Sequence, residues 1–494
     1  MGEFIFDQNI FQKKFVQADG LRNRAKSTVA QCDSICPNNT DNANVYRGYS
    51  STELLADTLH NVFGEVLSAK KTSNIEDELK GKMIEQLEYD DDEVLKNVFL
   101  ELVESIYFDS ANDSHISSAA LLRYQPASKQ KDFGKFVFDV LLDQQTKDKF
   151  SSVVRDEANP LDDMVNSAYS QLNVLQDLSA EREYSRLFEK EFEELFTVMN
   201  KDFRAALDSV TDSMAEMEFL LSYYLFIYLS QFALKIDADL FAKPDKNIQD
   251  KYPLFKGAKE GVSEDRECIT NGWRRIEKKT QKIFKHMIVL NMLNCHTNDS
   301  VYLTYSELYK IYEENPDERK DMDDALDYMI DQYTVVHATY STDTSGEYVD
   351  FSSIDKPNEE DPVLCFRQKV IYLFNCVSLQ LDSKEQRRNV VAYAAGNYNH
   401  ILKMRFVKSW GQLGQMMMIT NEDLITMISI CQRTSDRMIP ERGIQISDLF
   451  EEFKMRGLCM DGKTKQFMID YLVQINLIDS KCDSEEAQYV KRIQ

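Results

Sequence analysis

The sequence predicts a mainly α-helical protein, a multi-helical body with a winged-helix-like domain at its C-terminal end. Three observations carry this. Gly (16) and Pro (9) are scarce in 494 residues, so the turn punctuation of a sandwich, barrel or doubly wound sheet is missing. Hydrophobic residues make up 43% of the chain and recur at helical spacing, with charged residues on the opposite faces. The last hundred residues run helix, short apolar strand, helix, turn, helix and hairpin, which is the order of a winged helix.

The expected regions are an N-terminal helical part (1–155) with an irregular first fifty residues, a central helical domain (156–399) and the C-terminal domain (400–494). The Cys36-Pro37-Asn38-Asn39-Thr40 cluster favours turns, and the first fifty residues are expected to wrap another domain or a partner. Ser51-Thr52-Glu53 opens a helix with capping residues, followed by Leu54, Leu55, Leu59, Val62 and Phe63 on one face. Over 75–107, Met83, Leu87, Val94, Val98, Phe99, Leu102 and Val103 keep helical spacing, opposite the acidic Asp90, Asp91, Asp92 and Glu93. An apolar cluster at 133–142 precedes a polar boundary at 156–160. Residues 161–239 read as helix almost throughout. Within them the uncharged run 219–234 holds Ser222, Ser230, Gln231 and three Tyr. A membrane span wants about 20 largely apolar residues, so a buried central helix at 219–236 is expected instead.

Further on, the pattern gives one basic helix at 273–293, an acidic helix at 301–333 and a loop or hairpin at 338–357. Residues 363–381 fit helix or strand. The C-terminal region reads as a helix at 421–431, a strand near 444–446, a helix at 447–456, a turn at 460–462, a helix at 463–477 and a polar turn at 479–486 leading into 487–490.

Charge limits the partners. The 58 Lys+Arg against 83 Asp+Glu leave a net charge of −25, which repels nucleic acid on average and confines any DNA contact to a local basic surface. Residues 400–494 carry 13 basic and 13 acidic residues, so the deficit lies upstream. Nine Cys without a repeated spacing, and Glu3 and Asp7 where a signal peptide carries basic residues, point to a reducing cytosol.

One formal motif stands out. Gly457-Leu458-Cys459-Met460-Asp461-Gly462-Lys463-Thr464 fits the phosphate-cradling loop G-x-x-x-x-G-K-[ST], which needs a buried parallel strand before it and a helix after it. The preceding Leu449 to Arg456 segment is charged and helix-like, and only 30 residues follow Thr464, so a helix-turn-helix connection is expected there. Cys32 with Cys36, and Cys295 with His296, lack a second pair at zinc-finger spacing. Asp361 with Asp382-Ser383-Lys384 is the one nuclease-like carboxylate set, without a strand to carry it. No catalytic residue, metal or cofactor is assigned.

Binding residues are clearer. Arg274, Arg275, Lys278, Lys279, Lys282 and Lys285 stand against Glu277 alone, either as an interface or as a solvated face balancing acidic neighbours. Arg274, Arg275, Lys278, Lys282, Trp410 and Gln412 are the candidate interface residues. Lys463 and Lys465 on the last helix, with Lys481, Lys491 and Arg492 around the wing, are the candidate DNA contacts.

The stretch Leu402-Lys403-Met404-Arg405-Phe406-Val407-Lys408-Ser409-Trp410-Gly411-Gln412-Leu413-Gly414-Gln415, with Thr420-Asn421-Glu422-Asp423-Leu424-Ile425, Leu449 to Gly457, Asn476-Leu477-Ile478-Asp479 and Glu486-Ala487-Gln488-Tyr489-Val490-Lys491, resembles the DptG family of bacterial DNA phosphorothioate-dependent restriction. The likeness covers roughly the last hundred residues. Asp483-Ser484-Glu485-Glu486 departs from the family's usual Asp-Ser-Gly-Asp. The resemblance implies an accessory subunit beside a DptF-like ATPase and a DptH-like helicase or nuclease, and it brings no catalytic residues to this chain.

Overall fold

The computed structural model describes residues 6–16, 35–36, 62, 75–86, 93–103, 105, 133–155, 160–171, 184–208, 213–242, 273–296, 301–340, 349–382, 405–409, 415–478 and 488–493. Near the N-terminus, Asp7 caps α1 (Gln8–Phe11) by accepting the Asn9 and Ile10 amides at 2.8 and 3.0 Å, as short polar side chains do for orphan N–H groups. Phe11 packs edge-on against Tyr328, whose hydroxyl accepts the Gln12 amide at 2.7 Å. This part of the expected irregular segment is therefore helical and docked on the body. The capping residues at 51–53 lie outside the described residues.

The amphipathic stretch at 75–107 contains α2 (Ile75–Glu85) and α3 (Glu93–Val103). A short α4 (Phe133–Phe136) runs into a π turn at Val137–Leu141. Then come α5 (Gln144–Arg155), α6 (Pro160–Gln171), α7 (Glu193–Leu207) and α8 (Ser213–Leu240). Leu220, Tyr223, Tyr224, Ile227, Leu229 and Ile236 of α8 are all fully buried. Residues Ala215–Leu240 are long and apolar enough to cross a bilayer, but 89% of an apolar 18-residue stretch within them is covered by the protein itself, which marks a helix surrounded by its own core. The expected buried helix is thus present and longer than 219–236.

The single basic helix expected at 273–293 is two: α9 (Trp273–Thr280) and α10 (Ile283–Leu293). No Gly or Pro marks the break. It separates a helix that lies along α8 from one that also packs on α13. Thr304 and Glu307 form a capping box at the start of α11 (Tyr305–Glu314). Next, α12 (Arg319–Tyr340) extends into the expected loop at 338–357, and α13 (Pro362–Asp382) settles the ambiguous 363–381 as helix. Asp361 accepts the Leu364 amide at 2.9 Å, and Pro362 fits the first helical position, where no N–H is needed.

Antiparallel β1 (Val407–Ser409) and β2 (Gln415–Met417) pair Val407 with Met417, and β2 lies against α9. The chain then forms α14 (Asn421–Thr434), β3 (Ile444–Gln445), α15 (Ile446–Met455), α16 (Gly462–Gln474) and β4 (Tyr489–Val490). β3 and β4 are antiparallel, with Ile444 opposite Val490. Gly443, at φ +95°, lets the turn before β3 approach the Val490 carbonyl, where a Cβ would clash. α7 contacts α5, α8, α14 and α15, and α2 contacts α6. One buried cluster therefore runs across residues 155 and 400.

Candidate functional site

A dense polar cluster lies where α7, α8, α14 and α15 meet. Arg456, 1% exposed, directs its Nε and Nη2 to Asp202 at 2.8 and 2.7 Å. Its Nη1 reaches the Glu452 carboxylate at 2.7 Å, and Nη2 also donates to the Thr434 hydroxyl at 2.7 Å. The Tyr224 hydroxyl donates to Asp202 at 2.5 Å, Ser435 donates to Glu452 at 2.6 Å, and the Tyr223 hydroxyl donates to the Arg456 carbonyl at 2.8 Å. One guanidinium thus meets two buried carboxylates, and one hydroxyl donates to each of them. Burial pushes the Tyr224 phenol well up, with Asp202 adding to the effect. The cluster is sealed, so it clamps the C-terminal helices to the α8 spine and offers no surface to a substrate.

The phosphate-loop match begins at this clamp. Leu458 donates to the Phe453 carbonyl at 2.8 Å and Gly457 to Lys454 at 3.0 Å, the paired bonds that close a helix on a left-handed glycine. Gly457 has φ +84°, and a Cβ there would lie 3.2 Å from Ile227 Cγ2. At the other end Asp461 caps α16 by accepting the Thr464 amide at 2.8 Å. A protein carboxylate therefore occupies the helix N-terminus that a phosphate would need, and Thr464 is buried. The motif's first glycine ends a helix, and its second opens one.

The structure divides the candidate DNA residues between the two ends of α16. Lys463 and Lys465 are exposed in its first turn, with Lys465 lying 5.0 Å over the Phe450 ring. Lys491 and Arg492 are exposed at the other end, where the Lys491 amide donates to the Leu477 carbonyl at 2.8 Å. Lys481 lies outside the described residues, as do Trp410 and Gln412. On α9, Arg274 and Lys278 are exposed and Arg275 is half-buried. Lys282 is held by the buried Asp237 at 3.0 Å, and Lys279 also pairs with Asp237.

Asp237 belongs to a second buried array. His286 Nε2 lies 3.7 Å from its Oδ1, and His286 Nδ1 lies 3.2 Å from the Tyr305 hydroxyl. Burial favours neutral Asp237, but His286, Lys279 and Lys282 together hold it well below the usual carboxylate range. Burial also holds His286 below the ordinary imidazole range, against the pull of Asp237. Carboxylate, imidazole and hydroxyl follow one another as in a proton relay. His286 and Tyr305 are each 0% exposed, so no reactant reaches them, and the array ties α8, α10 and α11 together.

The nuclease-like carboxylates do not meet. Asp361 caps one end of α13 and Asp382 ends it, about 30 Å apart along a helix rising 1.5 Å per residue. Asp382 pairs with Lys285 at 2.6 Å. Among the described residues no three His, Cys, Asp or Glu side chains converge to hold a metal ion.

The sequence carried a signal for Arg456 and Asp202 that spacing alone did not single out. Arg456 continues the apolar row Leu449 and Phe453, and Asp202 lies between Met199 and Ala206; each is a charge on a core-facing stripe. No protein-family model matches the chain, and no curated protein matches it.

Proposed function

We propose that this chain is a non-catalytic, cytoplasmic subunit of a DNA phosphorothioate-dependent restriction complex, bridging a DptF-like ATPase and a DptH-like helicase or nuclease. The supporting observation is the Arg456 clamp: a buried polar network fixes the C-terminal helices to the spine, where it serves to position a surface. Among the described residues that resemble the DptG family, Leu449 to Met455 lie in α15, Asn421 to Ile425 open α14, and Asn476 to Ile478 follow α16. The folding of Gly457 to Thr464 as a C-cap and an N-capped helix, and the separation of Asp361 from Asp382, agree with reaction centres residing in the partners. Co-expression tests the reading. The tagged chain is expected to retain both partners through gel filtration and, alone, to neither hydrolyse ATP nor cut DNA; turnover by the isolated chain, or elution free of both partners, would overturn it.

A second reading has its own support. The order α14, β3, α15, α16, β4 is that of a winged helix, and exposed cations stand at both ends of α16. In this reading α16 lies against duplex DNA, with Lys463 and Lys465 at one phosphate strand and Lys491 and Arg492 at the other.

A further inference from the structure

α3 presents four aliphatic side chains to solvent: Val94 is 71% exposed, Leu95 57%, Val98 57% and Leu102 45%. Leu95, Val98 and Leu102 follow i, i+3, i+7 spacing, and Val94 lies one turn before Val98, so the four form one stripe. Scattered exposed aliphatics are ordinary, whereas a contiguous stripe marks a recognition surface. The helix touches the body on the neighbouring flank, through buried Val103 and partly buried Phe99. The other flank carries Glu93, Asn97 and Glu101 at one-turn intervals, all exposed. The sequence just before adds Asp90, Asp91 and Asp92.

We propose that α3 is a docking helix whose stripe seats in an apolar groove of a partner protein, with a basic rim of that groove meeting Glu93 and Glu101. The anchors have the spacing of helix-in-groove recognition, and the one-sided acidic row sets the charge of the rim. A second copy paired antiparallel is a poor occupant. In an antiparallel pairing of two such helices the dyad places both acidic rows on the same side of the interface, like charge against like. An 11-residue helix spans only about 16 Å, so α3 is one anchor of a larger contact.

The identity of the partner rests on the subunit reading above, and the test separates the two. The chain is co-expressed with the ATPase and helicase or nuclease subunits as wild type, as Val98→Asp/Leu102→Asp, as Glu93→Lys/Glu101→Lys, and as Val335→Asp/Leu364→Asp, a control altering other exposed aliphatics. The substituted side chains are solvent-exposed, and circular dichroism and melting check that each variant folds. Capture of one subunit is expected to fall by on the order of tenfold or more in the first two variants and to be unchanged in the control. If wild type holds its partners and Val98→Asp/Leu102→Asp holds them equally well, the docking helix is overturned while the subunit reading stands. If wild type holds neither, both fall. A concentration-dependent dimer that Val98→Asp/Leu102→Asp abolishes would make the occupant a second copy and overturn the proposal.

Discussion

Arg456 and Asp202, 254 residues apart in the chain, share two hydrogen bonds of 2.8 and 2.7 Å with both side chains sealed from water. The planar guanidinium fork matches the carboxylate, which an ammonium cannot do. Replacing Arg456 by Met leaves Asp202 and Glu452 buried without their cation, and such a loss costs about 3–5 kcal/mol. Urea unfolding is expected to show that drop. Arg456→Lys should recover part of it by restoring charge without the fork. A loss below about 1 kcal/mol for Arg456→Met would mean the clamp contributes no more than a surface pair.

Gly457 has φ +84° and faces Ile227, with only 3.2 Å between an added Cβ and the Ile227 Cγ2. An L-residue in the left-handed region costs about 1–2 kcal/mol, and the contact adds to it. Gly457→Ala is therefore expected to lower stability by about 1–3 kcal/mol. Gly462 has open space around its Cα and is the first residue of α16, so Gly462→Ala should change stability far less. A nucleotide-binding loop would make the opposite demand, because both glycines would matter for ligand affinity. Thermal melts with and without ATP separate the two cases.

The two glycines also show what the sequence could convey. Helices α14 and α16 fall within a few residues of expectation, whereas the acidic helix expected at 301–333 is two, α11 and α12. The caps Thr304 with Glu307, Thr420 and Asp461 are local chemistry that the sequence pattern did not single out. The break between α9 and α10 was not legible, because tertiary packing rather than a breaker residue causes it. The alternation at 363–381 was ambiguous because α13 touches α10, α11 and α12 on several sides. Partners for Arg456 and Asp237 were hidden for a third reason. Coulombic pairing across 254 or 42 positions leaves no periodic trace beyond a charge on a core-facing stripe.

His286 makes a pH prediction with a definite sign. Asp237, Lys279, Lys282 and Tyr305 face the ring, and Phe374 stacks on it at 4.5 Å. Burial keeps its folded pKa below the ordinary value, while the unfolded imidazole titrates near about 6.5. Between those two values the unfolded chain binds more protons, so stability falls as the pH drops below about 6.5, by at most about 1.4 kcal/mol per unit. Asp237 acts at lower pH: its depressed pKa gives stability that is complete above about 3.9 and is lost in stronger acid. Urea midpoints from about pH 7.5 to 5.5 should fall more steeply for wild type than for His286→Gln. Parallel lines would remove His286 from the account.

The DNA reading of α16 predicts binding that is weak, electrostatic and local. Residues 400–494 balance 13 basic against 13 acidic residues while the rest of the chain is strongly negative, so any affinity must come from a few phosphate contacts. The exposed face of α16 is itself mixed, since Asp470 accepts the Gln466 amide at 2.9 Å. The 13-residue α16 is about 20 Å long at helical rise, enough to bridge a major groove about 12 Å wide. Each phosphate contact contributes roughly 0.9 to the slope of log affinity against log salt. Lys463→Glu/Lys465→Glu is therefore expected to weaken binding to a mixed-sequence duplex and to reduce that slope by about 2. Lys491→Glu/Arg492→Glu should act similarly from the other end, with melting temperatures unchanged because all four side chains are exposed. Fluorescence anisotropy across a salt series gives both quantities, and a slope indifferent to either pair would leave α16 without a role at DNA.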